Sequence, residues 1–246
     1  YTFYTGDNRY DEISWVEEII SLTNNPLNKV LLEVEEIENL SNIISGVQDE
    51  PYGGIPTLAY SKIFKKARKD NVLVLLDGQG MDEQWAGYDY YLSNNDSTIQ
   101  GVKFSPFRKN VLSNYLINYI DKPMYPKPFK NDVLNKQYRD LFYTKIPRAL
   151  RFNDRVSMAY STELREPFLD YRLVEFAFAQ PIEYKIKDGV QKYLLRELVA
   201  EFLNDSITYA PKRPLQTPQR EWLGNQISTY VDERLFELME SKYANW

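Results

Sequence analysis

The sequence predicts an α/β fold in which a parallel sheet with crossover helices is followed by a helical lobe. Early in the chain, short apolar runs alternate with helical patterns, which is typical of parallel strands joined by helices. Beyond Leu134 the apolar residues recur at helical spacing, so we expect helices only. We therefore assign residues 1–105 to the α/β part and residues 106–246 to a helical part of the same domain.

Three strands are predicted, at residues 1–4, 29–34 and 72–76. The last is the unbroken apolar run VLVLL, which favours an interior strand covered on both faces. Between strands, YDEISWVEEIISLTN has one apolar face and ends at Asn-Asn-Pro. The basic run at residues 62–69 interleaves apolar residues at helical spacing, which favours a solvated helix face over a binding patch.

Prolines from Pro106 onward mark breaks around a predicted helix at residues 111–120. Beyond it, four stretches have helical character. They are QYRDLFYTKIPRALRFNDRVSMAYS, RLVEFAFAQ, QKYLLRELVAEFL and REWLGNQISTYVDERLFELME.

Composition excludes several functions. A net charge of −5 and a pI near 5.1 argue against nucleic acid as a partner, because phosphate neutralisation requires a basic face. The chain has no Cys and no His, so thiol nucleophiles, Ser-His-Asp triads and Cys- or His-ligated metals are excluded. Catalysis would have to use carboxylates, Lys, Tyr, backbone dipoles or oxygen-bound Mg.

No apolar run is long enough to span a membrane, and no N-terminal signal pattern is present. We therefore expect a cytoplasmic protein without membrane contact. The chain also begins at Tyr1 without Met, so we expect it to be a fragment of a longer protein.

The strand at residues 72–76 leads into DGQGMDE, where two glycines bracket Gln79 and two carboxylates follow at Asp82 and Glu83. Ligands of open parallel sheets bind beyond the carboxyl ends of strands, where this motif lies. Taken alone, the pattern is equally consistent with a tight turn that leads into a helix.

A second stretch, residues 150–181, alternates Arg and carboxylates with apolar residues. By itself it could be an ion-pair network between helices. However, DRVSMAYSTELREPFLDYRLVEFA, together with LLDGQGMDEQWAGYDYY, resembles the synthetase domain of glutamine-hydrolysing asparagine synthetases. The later stretches KYLLRELV and KRPLQTPQREWL follow in that family's order.

The resemblance implies an ATP-pyrophosphatase (adenine nucleotide alpha hydrolase-like) fold with a helical extension. It also implies a reaction that uses ATP and Mg: aspartate is adenylated to β-aspartyl-AMP, and ammonia then displaces AMP to give asparagine. In the family, an N-terminal glutaminase domain with a catalytic Cys supplies the ammonia. That Cys and the family's Ser-Gly-Gly-x-Asp-Ser pyrophosphate loop are both missing from the sequence, so we expect the chain alone to be inactive.

Residue by residue, the resemblance places Asp77, Gly78 and Gly80 at the nucleotide and Asp82 at the metal. Glycines let a ligand approach the backbone, and a carboxylate is a suitable oxygen ligand for Mg. Gln79 stands where many relatives carry Glu. Because an amide can hydrogen-bond but cannot accept a proton as a base, Gln79 is assigned a catalytic position without the role of base.

Two further catalytic residues are carried over. Glu163 matches an acid that helps to deprotonate the incoming nucleophile, and Lys212 matches a lysine that neutralises the leaving pyrophosphate. We expect both to converge with Gln79 and Asp82 on one cleft. We expect Arg155 and Arg165 to be structural partners of nearby carboxylates, namely Asp154, Glu166 and Asp170.

Two alternatives remain open. One is a related amide-forming ligase, such as a β-lactam synthetase or a macrocyclising enzyme, although those often carry Tyr in place of Gln79. The other is a non-catalytic domain that binds a nucleotide or a partner. The bulky Met81 and Trp85 beside the acids leave this interpretation open.

Overall fold

The computed structural model describes residues 1–93, 123–211 and 217–240. Within these residues the chain is a mixed α/β protein whose strands form three small sheets. Two sheets are parallel pairs and one is an antiparallel hairpin. The strands are β1 Thr2–Tyr4, β2 Lys29–Leu31, β3 Val74–Leu76, β4 Glu163–Arg165, β5 Ile186–Lys187 and β6 Val190–Gln191.

Helices account for most of the remaining described structure. Before the first gap they are α1 Ile13–Thr23, α2 Ile37–Gln48, α3 Ile55–Lys69 and α4 Met81–Gln84. After it they are α5 Asp132–Arg139, α6 Ile146–Ala159, α7 Tyr171–Ala179, α8 Ile182–Lys185, α9 Tyr193–Val199, α10 Asp205–Thr208, α11 Gln219–Glu221 and α12 Ser228–Glu240. Short 3-10 turns (Val34–Glu36, Asp89–Tyr91 and Pro167–Leu169) and π-helical turns (Asp140–Thr144 and Trp222–Gln226) lie between them.

The three predicted strands are confirmed, in shortened form. The second ends at Leu31 because Glu33 caps a 3-10 turn that begins at Val34. The third begins only at Val74, since the chain leaves α3 through Asn71 in a left-handed conformation and the Val72 amide still bonds to the Ala67 carbonyl. Parallel pairing of β1 with β2 is also as expected.

The prediction of an interior strand at residues 72–76 is wrong for the described part of the chain, where β3 pairs with β4 alone. Leu75 and Leu164 face the core, whereas Leu76 on the other face is 71% exposed. A continuous apolar run does not distinguish a strand covered on both faces from one covered on a single face.

The prediction of helices only beyond Leu134 is also wrong, because β4 and the hairpin β5–β6 lie there. The hairpin turn is Asp188-Gly189, and both residues have positive φ (52° and 78°). Asp-Gly between short strands is a strong sequence indicator of such a turn. The predicted 137–161 helix is interrupted by the π-helical turn before Pro147, which occupies the first turn of α6, as proline prefers.

One hydrophobic core joins residues from both predicted parts of the chain. Helices α2 and α3 contribute most of it, and Val156 of α6 and Trp222 pack into the same cluster. The basic run at residues 62–69 lies on α3 with Ile63, Phe64 and Ala67 buried, which confirms the solvated-face interpretation. The predicted boundary at residues 105/106 and the helix at residues 111–120 lie outside the described residues.

None of the described helices is both long enough and apolar enough to cross a bilayer.

Candidate functional site

The DGQG turn lies directly beyond the paired ends of β3 and β4. The Asp77 amide donates to the Arg165 carbonyl (2.9 Å), which extends the parallel ladder by one bond. The chain then passes through Gly78, Gln79 and Gly80 into the short helix α4. The motif thus occupies the strand-end position at which open parallel sheets bind ligands.

The two glycines of this turn differ in what the fold requires of them. Gly80 has φ +99°, and a Cβ there would stand 2.4 Å from Leu169 Cδ2 and 3.0 Å from Gln84 Nε2. A Cβ on Gly78 would meet nothing within 4 Å, and its φ is not in the left-handed region. Backbone geometry therefore explains Gly80 but gives no reason for glycine at position 78.

Asp77 and Glu166 form a carboxyl pair at the ends of the two strands. Asp77 accepts hydrogen bonds from the Gly78 amide (2.6 Å) and from Asn153 of α6 (3.3 Å). Both Glu166 carboxyl oxygens are buried without a hydrogen bond of normal geometry from any described residue, although the Gln79 amide is near enough to favour the ionised carboxylate. Burial, together with the nearby Asp77 carboxylate, raises the Glu166 pKa to about 7.

Asp82 forms an ion pair with Lys192, whose Nζ lies 2.5 Å from Asp82 Oδ1. The pair rests against Gly87, where a Cβ would lie 2.0 Å from the same oxygen. No group of three or more Asp or Glu side chains among the described residues could hold a metal ion. With its single carboxylate already neutralised, this set does not fit a magnesium site made by the protein alone.

Glu83, the second carboxylate of the motif, is almost fully buried at 2% exposure. Tyr88 donates to its Oε1 (2.8 Å), and Gln137 of α5 donates to its backbone carbonyl (2.7 Å). Burial raises the Glu83 pKa to about 6, although the Tyr88 hydrogen bond acts in the opposite direction.

A cavity of about 510 Å³ opens beside this turn, a size within the range of small-molecule sites. Gln79 and Glu83 line it from the motif, and Tyr88 follows them in sequence. Across a long sequence separation, Lys145 and Arg148 of the α6 N-terminal turn line the same cavity. The remaining walls come from Pro51, Tyr52, Gly53, Ala149 and Phe152.

The expected convergence on one cleft is not found for Glu163 or Asp82, because neither lines the cavity that contains Gln79. Glu163 lies elsewhere on the strand pair. It is in register with Val74, three residues before Asp77, or about 10 Å along the strand. Odd spacing puts it on the opposite face from Asp77. Its side chain is 56% exposed and accepts from Arg165 Nε (2.7 Å).

The expected partners of the motif arginines are incorrect. Arg165 pairs with Glu163, because they are two residues apart on the same face of β4. Arg155 reaches Asp49 at the end of α2 (2.6 Å) instead of its sequence neighbour Asp154. Asp170 caps α7 and binds Arg172 (2.7 Å), which leaves Glu166 without an arginine partner among the described residues.

The structure thus brings Gln79, Glu83 and the previously unassigned Lys145 and Arg148 to one cavity. Asp77 adjoins it, since its partner Asn153 follows the cavity-lining Phe152 on α6. Lys212 lies outside the described residues. Lys145 and Arg148 could not be recognised from the sequence, because nothing in their local pattern distinguishes them from surface charges. Lys192, the partner of Asp82, could have been noticed, because it is the first residue of the KYLLRELV stretch.

The fold and this site define an α/β protein with a ligand-sized cavity at the carboxyl ends of parallel strands. The family model described as Asparagine synthase matches residues 1–244. The chain therefore belongs to the asparagine synthase family, as the sequence motifs indicated.

Curated relatives agree with this assignment. Asparagine synthetase [glutamine-hydrolyzing] 3 of Bacillus subtilis is 26% identical over 94% of this chain and 42% of its own length. Its paralogue 2 from the same organism is 29% identical over 97% of this chain and 34% of its own length. The asparagine synthetase [glutamine-hydrolyzing] of Rattus norvegicus is 25% identical over 98% of this chain and 39% of its own length. The chain thus spans about two fifths of the length of these relatives.

Proposed function

We propose that this chain forms the synthetase part of an ATP-dependent amide ligase that makes asparagine from aspartate and ammonia. The observation that carries the proposal is the position of DGQGMDE, beyond paired parallel strands and beside a 510 Å³ cavity, in a chain matched over nearly its whole length by the family. The fold that goes with this function is the ATP-pyrophosphatase type with its helical extension.

The reaction has two balanced steps. An oxygen of the aspartate β-carboxylate attacks the α-phosphorus of ATP and pyrophosphate leaves, giving β-aspartyl-AMP. Ammonia then attacks the acyl carbon, the C–O bond to AMP breaks, and asparagine and AMP form with release of a proton. In the whole protein, an N-terminal glutaminase domain would supply the ammonia from glutamine.

Gly78 is the point at which we expect the nucleotide to approach the backbone, because the space around it is open and its φ does not demand glycine. Gly80 holds the turn in the shape that presents it, and Asp77 fixes the preceding peptide through the Gly78 amide. Gln79 lines the cavity and orients the acyl group by hydrogen bonding, without acting as a base.

On the family resemblance alone, Glu163 is proposed to take the proton that ammonium loses before attack, although its carboxylate lies outside the cavity and is held by Arg165. Lys212 is proposed to neutralise the leaving pyrophosphate. Ligation of magnesium by Asp82 remains a proposal that rests on the family resemblance. Because Lys192 already neutralises that carboxylate, we derive no step through the metal.

The test is pyrophosphate release by the full-length protein with ATP, magnesium and ammonium chloride, with and without aspartate. We expect release to depend on aspartate and to match the asparagine and AMP formed. Release that is independent of aspartate, or that depends on another acid and gives a different amide, would refute asparagine synthesis. Glu163→Gln should lower kcat, with Glu175→Gln, an exposed residue of α7, as the matched control.

A further inference from the structure

The Gln79-lined cavity contains two cations that the family resemblance did not assign. Lys145 and Arg148 stand three residues apart at the start of α6, so they lie on one face of the helix. Neither side chain forms an ion pair or hydrogen bond with any other residue that the structure describes, whereas most other described arginines have carboxylate partners.

Lys145 is held over aromatic rings. Its Nζ lies 4.6 Å from the centre of the Tyr88 ring and 5.5 Å from that of Tyr90. These contacts fix the ammonium at the cavity wall without neutralising it. Burial lowers the Lys145 pKa, so the nearby Asp140 and Glu83 carboxylates only partly offset the cost of burying its charge.

Arg148 is exposed and lines the same wall with Ala149 and Phe152. Two cations with one buried carboxyl group, Glu83, leave the lining with an excess of positive charge. A partly buried ammonium and a neighbouring guanidinium favour a bound carboxylate or phosphate, because charge-assisted hydrogen bonds are strongest where water is partly excluded.

We propose that this cavity takes the acceptor acid, and that Lys145 and Arg148 bind the carboxylate of that acid which does not react. The inference rests on the proposed ligase function and adds the residues that recognise the second carboxylate of the acceptor acid. One end of the acid reaches Gln79, where the acyl phosphate bond forms, and the other end meets the two cations.

The experiment compares aspartate with β-alanine, which keeps the reacting carboxylate and the amine but lacks the α-carboxylate. In the full-length protein we expect kcat/KM for aspartate to exceed that for β-alanine by at least about tenfold, the effect of one hydrogen bond to a charged group. Lys145→Met and Arg148→Gln should each raise KM for aspartate by about tenfold and bring the two substrates close together. The KM for ATP should stay within about twofold of wild type.

Three controls separate recognition from folding. Lys145→Arg keeps the charge and should retain most of the preference for aspartate. Lys65→Met and Arg68→Gln alter exposed cations of α3 and should change nothing. Thermal unfolding of every variant identifies any whose fold is lost.

The inference fails if the variants keep the wild-type preference for aspartate over β-alanine. It also fails if they raise KM for ATP instead, since the cations would then bind phosphate of the nucleotide. Calorimetric titration of aspartate and β-alanine into the same variants without ATP gives an answer that does not depend on turnover. A wild-type protein that binds aspartate through Lys145 but releases no pyrophosphate would refute the proposed function and leave the inference standing.

Discussion

The two glycines of the DGQG turn should respond in opposite ways to the addition of one methyl group. In Gly80→Ala, φ +99° is unfavourable for any residue with a Cβ, at a cost of about 1–3 kcal/mol. The new Cβ also stands 2.4 Å from Leu169 Cδ2, which forces repacking worth about 1–3 kcal/mol. Gln84 cannot move freely to relieve the crowding, because its Nε2 donates to the Phe168 carbonyl (2.5 Å).

Together these effects should destabilise Gly80→Ala by about 3 kcal/mol, a large share of the 5–15 kcal/mol typical of a folded domain. Gly78→Ala meets no atom within 4 Å and has no left-handed φ. It should be neutral, or stabilised by up to about 1 kcal/mol through the lower entropy of the unfolded chain.

Urea unfolding followed by tryptophan fluorescence measures the difference, since Trp85 is buried at the end of the helix that Gly80 begins. If both variants lose similar stability, or Gly80→Ala loses none, our description of the turn is wrong. ATP titration of Gly78→Ala in the full-length protein then tests its functional role. We expect weaker ATP binding without loss of stability, whereas unchanged binding would remove Gly78 from the nucleotide site.

Two other carboxyl groups, those of Glu166 and Asp140, allow further predictions. The Glu166 pKa is raised from 4.5 to about 7 on folding, so the folded chain holds its proton while the unfolded chain loses it, and stability falls as pH rises through that window. After allowance for partial exposure, Glu166→Gln should raise the free energy of unfolding by about 1–2 kcal/mol at pH 8 and leave it unchanged near pH 4, as measured by chemical unfolding. An equal effect at both pH values would contradict this. Asp140 is fully buried and accepts hydrogen bonds from Tyr90 (2.7 Å) and Arg139 (2.8 Å). Asp140→Asn should therefore lower the free energy of unfolding by about 3 kcal/mol, whereas the exposed control Asp132→Asn should change it little. Equal loss in the two would show that the buried network does not stabilise the fold.

The sequence alone determined the features that depend on local pattern. The apolar stripe of α3 predicted which side chains are buried, and glycine placement predicted a turn after the third strand. The ordered motifs identified the family, because several short matches in one order are far more specific than any one of them. The Asp188-Gly189 pair also indicates a hairpin turn, a local signal that the prediction of helices alone did not use.

Only the tertiary structure decided which distant segments meet. The partner of β3 comes from residues 163–165, which no local pattern distinguishes from the helical sequence around them. Strand face and register then separate Glu163 from Asp77 and put Glu166 beside it, although all three are acids close to a motif.

The same holds for the cavity. Lys145 and Arg148 look like ordinary surface charges in the sequence, and they acquire a candidate role only because the first turn of α6 lines the same cavity as Gln79 of the DGQG turn. Periodicity and turn chemistry act over a few residues and can be recognised locally. Pairing and burial depend on the packing of the whole chain, so the surroundings of a charge, and with them its chemistry, are fixed only when the fold is complete.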